Sequence, residues 1–134
     1  MERPIYFSFV CGNLKALGGD VAMGSQPTSR WYAAEGYTGP EFYEYLTVLN
    51  QKAATVTITV TYFLTGEAAL VRDYVIPASS RYTIQVNCEI GPDNECSLEV
   101  VTQDGLPSVV LERPMYFLYQ GLYNGGHIST GYPQ

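Results

Sequence analysis

Residues 54–62 alternate without a break: Thr55, Thr57, Thr59 and Thr61 fall on one side, and Val56, Ile58, Val60 and Tyr62 on the other. Successive side chains of a β-strand point to opposite faces, so this pattern predicts a strand with one buried and one wetted face. Residues 81–87 repeat it with Tyr82, Ile84 and Val86 directed inward, and residues 97–102 repeat it over a shorter run. Residues 42–49 and 68–76 are rich in β-branched and aromatic side chains and read as further strands. Turn-forming clusters separate these runs: Leu64-Thr65-Gly66-Glu67, Pro77-Ala78-Ser79-Ser80, Gly91-Pro92-Asp93-Asn94 and Gln103-Asp104-Gly105-Leu106-Pro107. No stretch of useful length has a 3.6-residue period. Short strands punctuated by turns predict an all-β fold, an antiparallel immunoglobulin-like sandwich of about seven to nine strands.

An internal repeat joins the two ends of the chain. Residues 2–7 read Glu-Arg-Pro-Ile-Tyr-Phe and residues 112–117 read Glu-Arg-Pro-Met-Tyr-Phe. Further on, Gly18-Gly19-Asp20 with Gly24 answers Gly125-Gly126-His127 with Gly131, the first copy carrying about three extra residues around Cys11-Gly12-Asn13. Self-similarity of this kind marks a repeat array. The expected organisation is a duplicated terminal strand and linker over residues 1–29, matching the end of a preceding unit, then a sandwich repeat over residues 30–134.

Several segments, taken in order, resemble a bacterial module found in tandem copies in large secreted and cell-surface proteins. They are Trp31-Tyr32-Ala33-Ala34-Glu35-Gly36-Tyr37-Thr38-Gly39, the strand Tyr45-Leu46-Thr47-Val48-Leu49-Asn50, the alternating Ala-Thr-Val strand, the turn Ile76-Pro77-Ala78-Ser79-Ser80-Arg81, and the closing Glu-Arg-Pro-Met-Tyr-Phe and Gly-Gly-His. Ala33 stands where the module usually has an aromatic residue, and Gly-Gly-Asp replaces Gly-Gly-His in the first copy, which argues against an essential histidine there. The resemblance implies a surface-exposed repeat domain, a fragment of a longer secreted protein, located outside the cell or on its surface. It brings no catalytic or ligand residues with it.

Charge narrows the partners. The chain has 134 residues, a net charge of −6 and seven Lys plus Arg, no two of them adjacent. Nucleic acid and anionic membranes both call for a basic patch, so neither is expected as a partner. No apolar run approaches the ~20 residues of a membrane helix, and the opening Met-Glu-Arg-Pro is not a signal peptide. Apart from the motif resemblance, the chain reads as a single soluble domain.

Candidate chemistry is sparse. His127, the one histidine, lies in a Gly-rich tail with no nucleophile or orienting carboxylate supplied by a motif. Glu41 and Glu44 could pair as acid and base, but at a strand entrance with unlike facing they read as solvated surface. Glu89, Asp93 and Glu95 form an acidic turn without calcium-loop spacing. A zinc site from Cys88, Cys96 and His127 would be one ligand short. No enzyme, cofactor or metal is expected. Cys88 and Cys96, at facing ends of two predicted strands, are a candidate disulfide, and Cys11 is left over as a free or chain-linking thiol. The threonine face at 55, 57, 59 and 61 is repeated on no neighbouring strand, which leaves ordinary β-propensity as its reading.

Two functional readings remain. In the first, the chain is a structural repeat of a stalk or fibre, and Arg3, Pro4, Ile5, Tyr6, Phe7 and Phe9 form a spare strand that couples neighbouring copies head to tail. Ile5, Phe7 and Phe9 would fill alternate pockets, and Pro4 suits an edge because it cannot donate to a ladder. Contacts of that type generate open filaments. In the second, Trp31, Tyr32, Tyr37, Tyr43 and Tyr45 form an exposed platform for surface glycans, although core or inter-domain packing accounts better for such residues.

Overall fold

The computed structural model describes residues 2–12 and 14–134. Its strands are β1 (Glu2–Cys11), β2 (Leu14–Met23), β3 (Arg30–Ala33), β4 (Phe42–Asn50), β5 (Val56–Leu64), β6 (Leu70–Ile76), β7 (Ser80–Gln85), β8 (Cys96–Thr102), β9 (Val109–Tyr119), β10 (Tyr123–Thr130) and β11 (Tyr132–Pro133). One short helix, α1 (Val86–Ile90), follows β7. The fold is all-β, and every strand pairing is antiparallel. Eleven strands among the described residues exceed the seven to nine expected, because the first copy of the repeat adds two and the chain end adds the two-residue β11.

Two sheets enclose the core. One runs β10-β9-β4-β7 and the other β11-β3-β8-β5-β6. β4, β5, β7 and β8 pair as the B, C, E and F strands of an immunoglobulin sandwich do, while β3 and β9 stand in the sheets that the last and first strands occupy there. The alternation seen at residues 54–62 becomes β5, with Val56, Ile58, Val60 and Tyr62 buried and the intervening threonines on the outer face. Across from them lie Leu46, Val48 and Leu111 of the other sheet. Trp31 is fully buried, and its Nε1 donates to the carbonyl of Val109 at 3.0 Å, so the ring's one polar atom is satisfied inside the core.

The predicted strand over residues 81–87 ends early. β7 stops at Gln85 and the chain turns into α1, because Asn87 takes over the pairing with its side chain. Its Nδ2 donates to the carbonyl of Phe42 at 2.8 Å and its Oδ1 accepts from the Glu44 N–H at 2.9 Å, supplying the next rungs of the β4 ladder. Tyr82, expected inward, is 40% exposed and stands beside Tyr74. A second interruption has a similar cause. Pairing between β4 and β9 runs from Phe42 to Glu44 and resumes at Thr47, leaving out the stretch opposite Arg113 and Pro114. Proline offers no ladder N–H.

Candidate functional site

The two Glu-Arg-Pro-x-Tyr-Phe segments open two hairpins built alike. In β1–β2, Ile5 pairs with Asp20, Tyr6 with Gly19 and Phe7 with Gly18. In β9–β10, Met115 pairs with His127, Tyr116 with Gly126 and Phe117 with Gly125. The register is the same residue for residue. Glycine serves one purpose in both: a Cβ at Gly18 would lie 2.8 Å from Cζ of Phe7, and a Cβ at Gly125 would lie 2.9 Å from Cζ of Phe117. Each phenylalanine ring lies flat across the strand opposite it.

The β1–β2 ribbon forms a third layer on the outer face of the four-stranded sheet, with β2 alongside β10. Along β4, Glu44, Leu46 and Val48 turn to the core, so Tyr43 and Tyr45 face out and meet the ribbon. Phe9 stacks on Tyr116 with ring centroids 4.5 Å apart and planes 7° from parallel. It also meets Tyr43 at 5.5 Å and Tyr45 at 6.0 Å, while Phe7 approaches Tyr116 edge-on at 5.2 Å. Aromatic pairs of this kind contribute about 0.5–1.5 kcal/mol each beyond their buried area. Small residues draw the other half of the ribbon close: Ala16 and Ala22 are buried, and a Cβ at Gly126 would lie 2.7 Å from the Phe7 ring.

Polar contacts fix the position of the ribbon. Arg3 forms an ion pair with Glu112. Asp20 Oδ2 accepts from the Ile128 N–H at 2.6 Å and stands 3.0 Å from Nδ1 of His127. β10 is an edge strand, and this carboxylate occupies one of the backbone donors that such an edge leaves free. The Ile128 N–H, then that of Val21 and the nearby His127, hold the Asp20 carboxyl below the ordinary aspartate range.

A second cluster lies on the other face of the same sheet. Glu44 is fully buried, with Nη1 of Arg113 3.5 Å from its Oε1 and the Cys96 thiol 3.8 Å from its Oε2. The carboxylate rests directly against Gly36, where a side chain would collide with both oxygens. Burial pushes the Glu44 carboxyl up to about 7 against the opposing pull of Arg113, and burial followed by the neighbouring carboxylate pushes the Cys96 thiol up to about 12. Glu44 is therefore no part of a solvated surface. Its position in phase with Leu46 and Val48 was the signal that it points inward, but its partner is far away in sequence. Glu41 sits apart from it, exposed in the preceding turn at φ 64°. Equivalent arginines thus find glutamates on opposite faces of one sheet, Arg113 the buried Glu44 and Arg3 the outer Glu112.

At the end of the sandwich where the sheets part, next to this cluster, lies a cleft of about 660 Å³. Tyr37, Phe42, Phe63 and Met115 supply apolar wall, and Glu35 and Glu95 supply carboxylates.

The other expected sites come out as follows. The five aromatics of the glycan platform do not share a face. Trp31 is core, Tyr43 and Tyr45 lie under the ribbon, Tyr37 packs on Phe42 at 5.0 Å, and Tyr32 sits on the far face of β3. Cys88 and Cys96 are not bonded: α1 carries Cys88 into solvent while Cys96 is buried beside Glu44. Cys11 is a free, half-buried thiol next to Tyr43, and Asn13 of the insertion lies outside the described residues. Among the described residues no cluster of His, Cys, Asp and Glu is arranged to hold a metal ion, and no helix is long and apolar enough to cross a membrane. Of the spare strand, Arg3, Phe7 and Phe9 are engaged on the chain's own sheet, Ile5 is half-buried, and Pro4 and Tyr6 face solvent.

No family model matches the sequence, and no curated protein matches it. Solved structures do. The chain is similar to Thermotoga maritima 1070, with a TM-score of 0.72 and 15% identity over 81% of this chain and 96% of that one. It is also similar to the Anabaena sensory rhodopsin transducer, with a TM-score of 0.53 and 18% identity over 67% of this chain and 97% of that one. At these identities the likeness is one of fold, and the fold it supports is the all-β sandwich described above.

Proposed function

We propose that the chain is a non-catalytic structural repeat module, and that its β1–β2 ribbon is a coupling element. The ribbon is a copy of the hairpin that ends a unit, and its seat is the outer face of the next unit's β9–β10 hairpin and β4. Here the seat is filled within one chain. Between neighbouring copies the same face would receive the ribbon of another, giving a head-to-tail contact that extends into an open assembly. The observation that carries this reading is the stacking of two hairpins of one register, with Phe9 on Tyr116 and Asp20 on His127. The extracellular or cell-surface setting rests on the motif resemblance.

Light scattering after gel filtration, over a range of concentration and in reducing buffer, tests the reading. If copies exchange ribbons, each leaving its own seat for a neighbour's, the full chain should form oligomers whose mass rises with concentration, and Phe7→Ser with Phe9→Ser, which alter only the ribbon, should abolish them. Oligomers that disappear only on reduction would make Cys11 the link instead. A monomer at every concentration would remove the coupling role.

A further inference from the structure

We infer that the cleft at the end of the sandwich is a binding site for an organic cation, an ammonium or guanidinium group carried on an apolar body. The walls come from five segments. Cys96 N–H donates to the Gly36 carbonyl at 3.0 Å and Thr65 N–H to the Glu95 carbonyl at 3.4 Å, which ties the 35–37 segment, the start of β8 and the turn after β5 into one rim. Phe42 and Met115, from the opposite sheet, form the far side. The opening of about 660 Å³ falls within the usual size of small-molecule sites.

Charge decides what fits there. Glu35 and Glu95 are both exposed at the cleft, and among the described residues neither takes part in an ion pair. Among the described residues, no Lys, Arg or His lines the opening. Behind Cys96, which forms part of the lining, Glu44 is paired with Arg113 at 3.5 Å and adds no net charge to the opening. The cleft is thus acidic at its rim, within a chain of net charge −6.

The walls match the remainder of such a ligand. Tyr37 and Phe42 pack edge to face at 5.0 Å, and Phe63, next to the last residue of β5, is 45% exposed. Aromatic faces attract a cation through their quadrupole, most strongly where water is partly excluded, and Met115 adds an adaptable apolar contact. An anion would face two carboxylates with no counter-charge. A neutral apolar ligand would leave both acids unused.

The experiment is an NMR titration of the full chain with benzyltrimethylammonium, with neutral benzyl alcohol as control. The cation should shift the amides of Tyr37, Phe63, Glu95 and their neighbours and saturate, and benzyl alcohol should bind at least about tenfold more weakly. Glu35→Gln with Glu95→Gln, both exposed and outside the core, should weaken the cation by about tenfold as two ion contacts are lost. A second arm uses acetyl-Phe-Arg-amide. Tighter binding of the peptide would identify a partner's basic side chain as the ligand, and tighter binding of benzyltrimethylammonium a small ammonium compound. Absence of saturable shifts, equal binding of benzyl alcohol, or binding unchanged in the double variant would each overturn the inference. None of these readings depends on the oligomeric state, so the ribbon's coupling role stands or falls separately.

Discussion

Asp20 and His127 occupy the same position in the two copies of the repeated hairpin, and they face each other across the stack at 3.0 Å. The two copies therefore differ in sequence where they meet. An aspartate in both would set two carboxylates together, and the Ile128 N–H that receives Asp20 has its counterpart in Val21 N–H, which Asp20 Oδ1 already occupies at 2.8 Å. The substitution that breaks the repeat gives the stack a direction: the Asp copy sits on the His copy.

Removing this carboxylate should loosen the ribbon and little else. Asp20→Ala leaves the Ile128 N–H without an acceptor, a loss of about 1–2 kcal/mol, which is roughly a 5–30-fold rise in local opening. Hydrogen exchange should quicken by that factor along β1, β2 and β10, with β5 and β8 unchanged. Asp20 is held below its ordinary range when folded, so its contribution is present above about pH 4 and is lost as pH falls through the folded value. Acid should free the ribbon before it unfolds the sandwich. Uniform exchange changes across the molecule would show that the ribbon is not a separate layer.

Glu44 predicts the opposite slope. Its carboxyl is raised from 4.5 in the unfolded chain to about 7 when folded, so between those values the folded state keeps a proton that the unfolded state has lost. The stability tied to this group is full below about pH 4.5 and declines by ~3 kcal/mol as pH rises to about 7. Glu44→Gln holds the same shape without titrating, and urea unfolding of this variant should lose most of that slope. Arg113→Ala removes the group that opposes burial, so the carboxyl should stay protonated to higher pH and the decline in stability should continue beyond pH 7.

Gly36 is required by that carboxylate rather than by its backbone. Its φ lies outside the left-handed region, and an added methyl would collide with both Glu44 oxygens, which cannot retreat without leaving Arg113. Gly36→Ala should cost about 1–3 kcal/mol, as overpacking of a core does. An unchanged urea midpoint would mean that the carboxylate lies elsewhere.

The strands were legible wherever one face is buried and the other is not. Val56 to Tyr62 follow their alternation into the core, and the ribbon could be read because its sequence is written twice. Three features were fixed by partners that local patterning does not show. The end of β7 is set by the Asn87 amide bonding to β4, the pairing of the inward Glu44 by an arginine on β9, and the burial of Tyr43 and Tyr45 by a layer that only the tertiary fold brings over them. Local patterning records which face of a strand is apolar. It does not record what will cover that face, and so, of the aromatics that resembled a platform, Tyr43 and Tyr45 are the ribbon's seat and Trp31 is core, while Tyr37 and Tyr32 lie elsewhere.

The cysteines offer a test of the same limit. Spacing alone suggested a bond between Cys88 and Cys96, but α1 turns Cys88 outward while Cys96 is buried at the start of β8 with its thiol pushed up to about 12. A thiol in that state is almost wholly protonated at neutral pH and shielded from reagent, since the thiolate is the reactive form. With a thiol-reactive chromogen in native buffer, Cys88 should react fast, half-buried Cys11 more slowly, and Cys96 only after denaturant is added. Mild oxidation should leave the melting temperature unchanged, because a Cys88–Cys96 bond would need α1 to unwind and Cys96 to leave Glu44. A rise in melting temperature together with the loss of two titratable thiols would instead show that the helical turn yields to the disulfide.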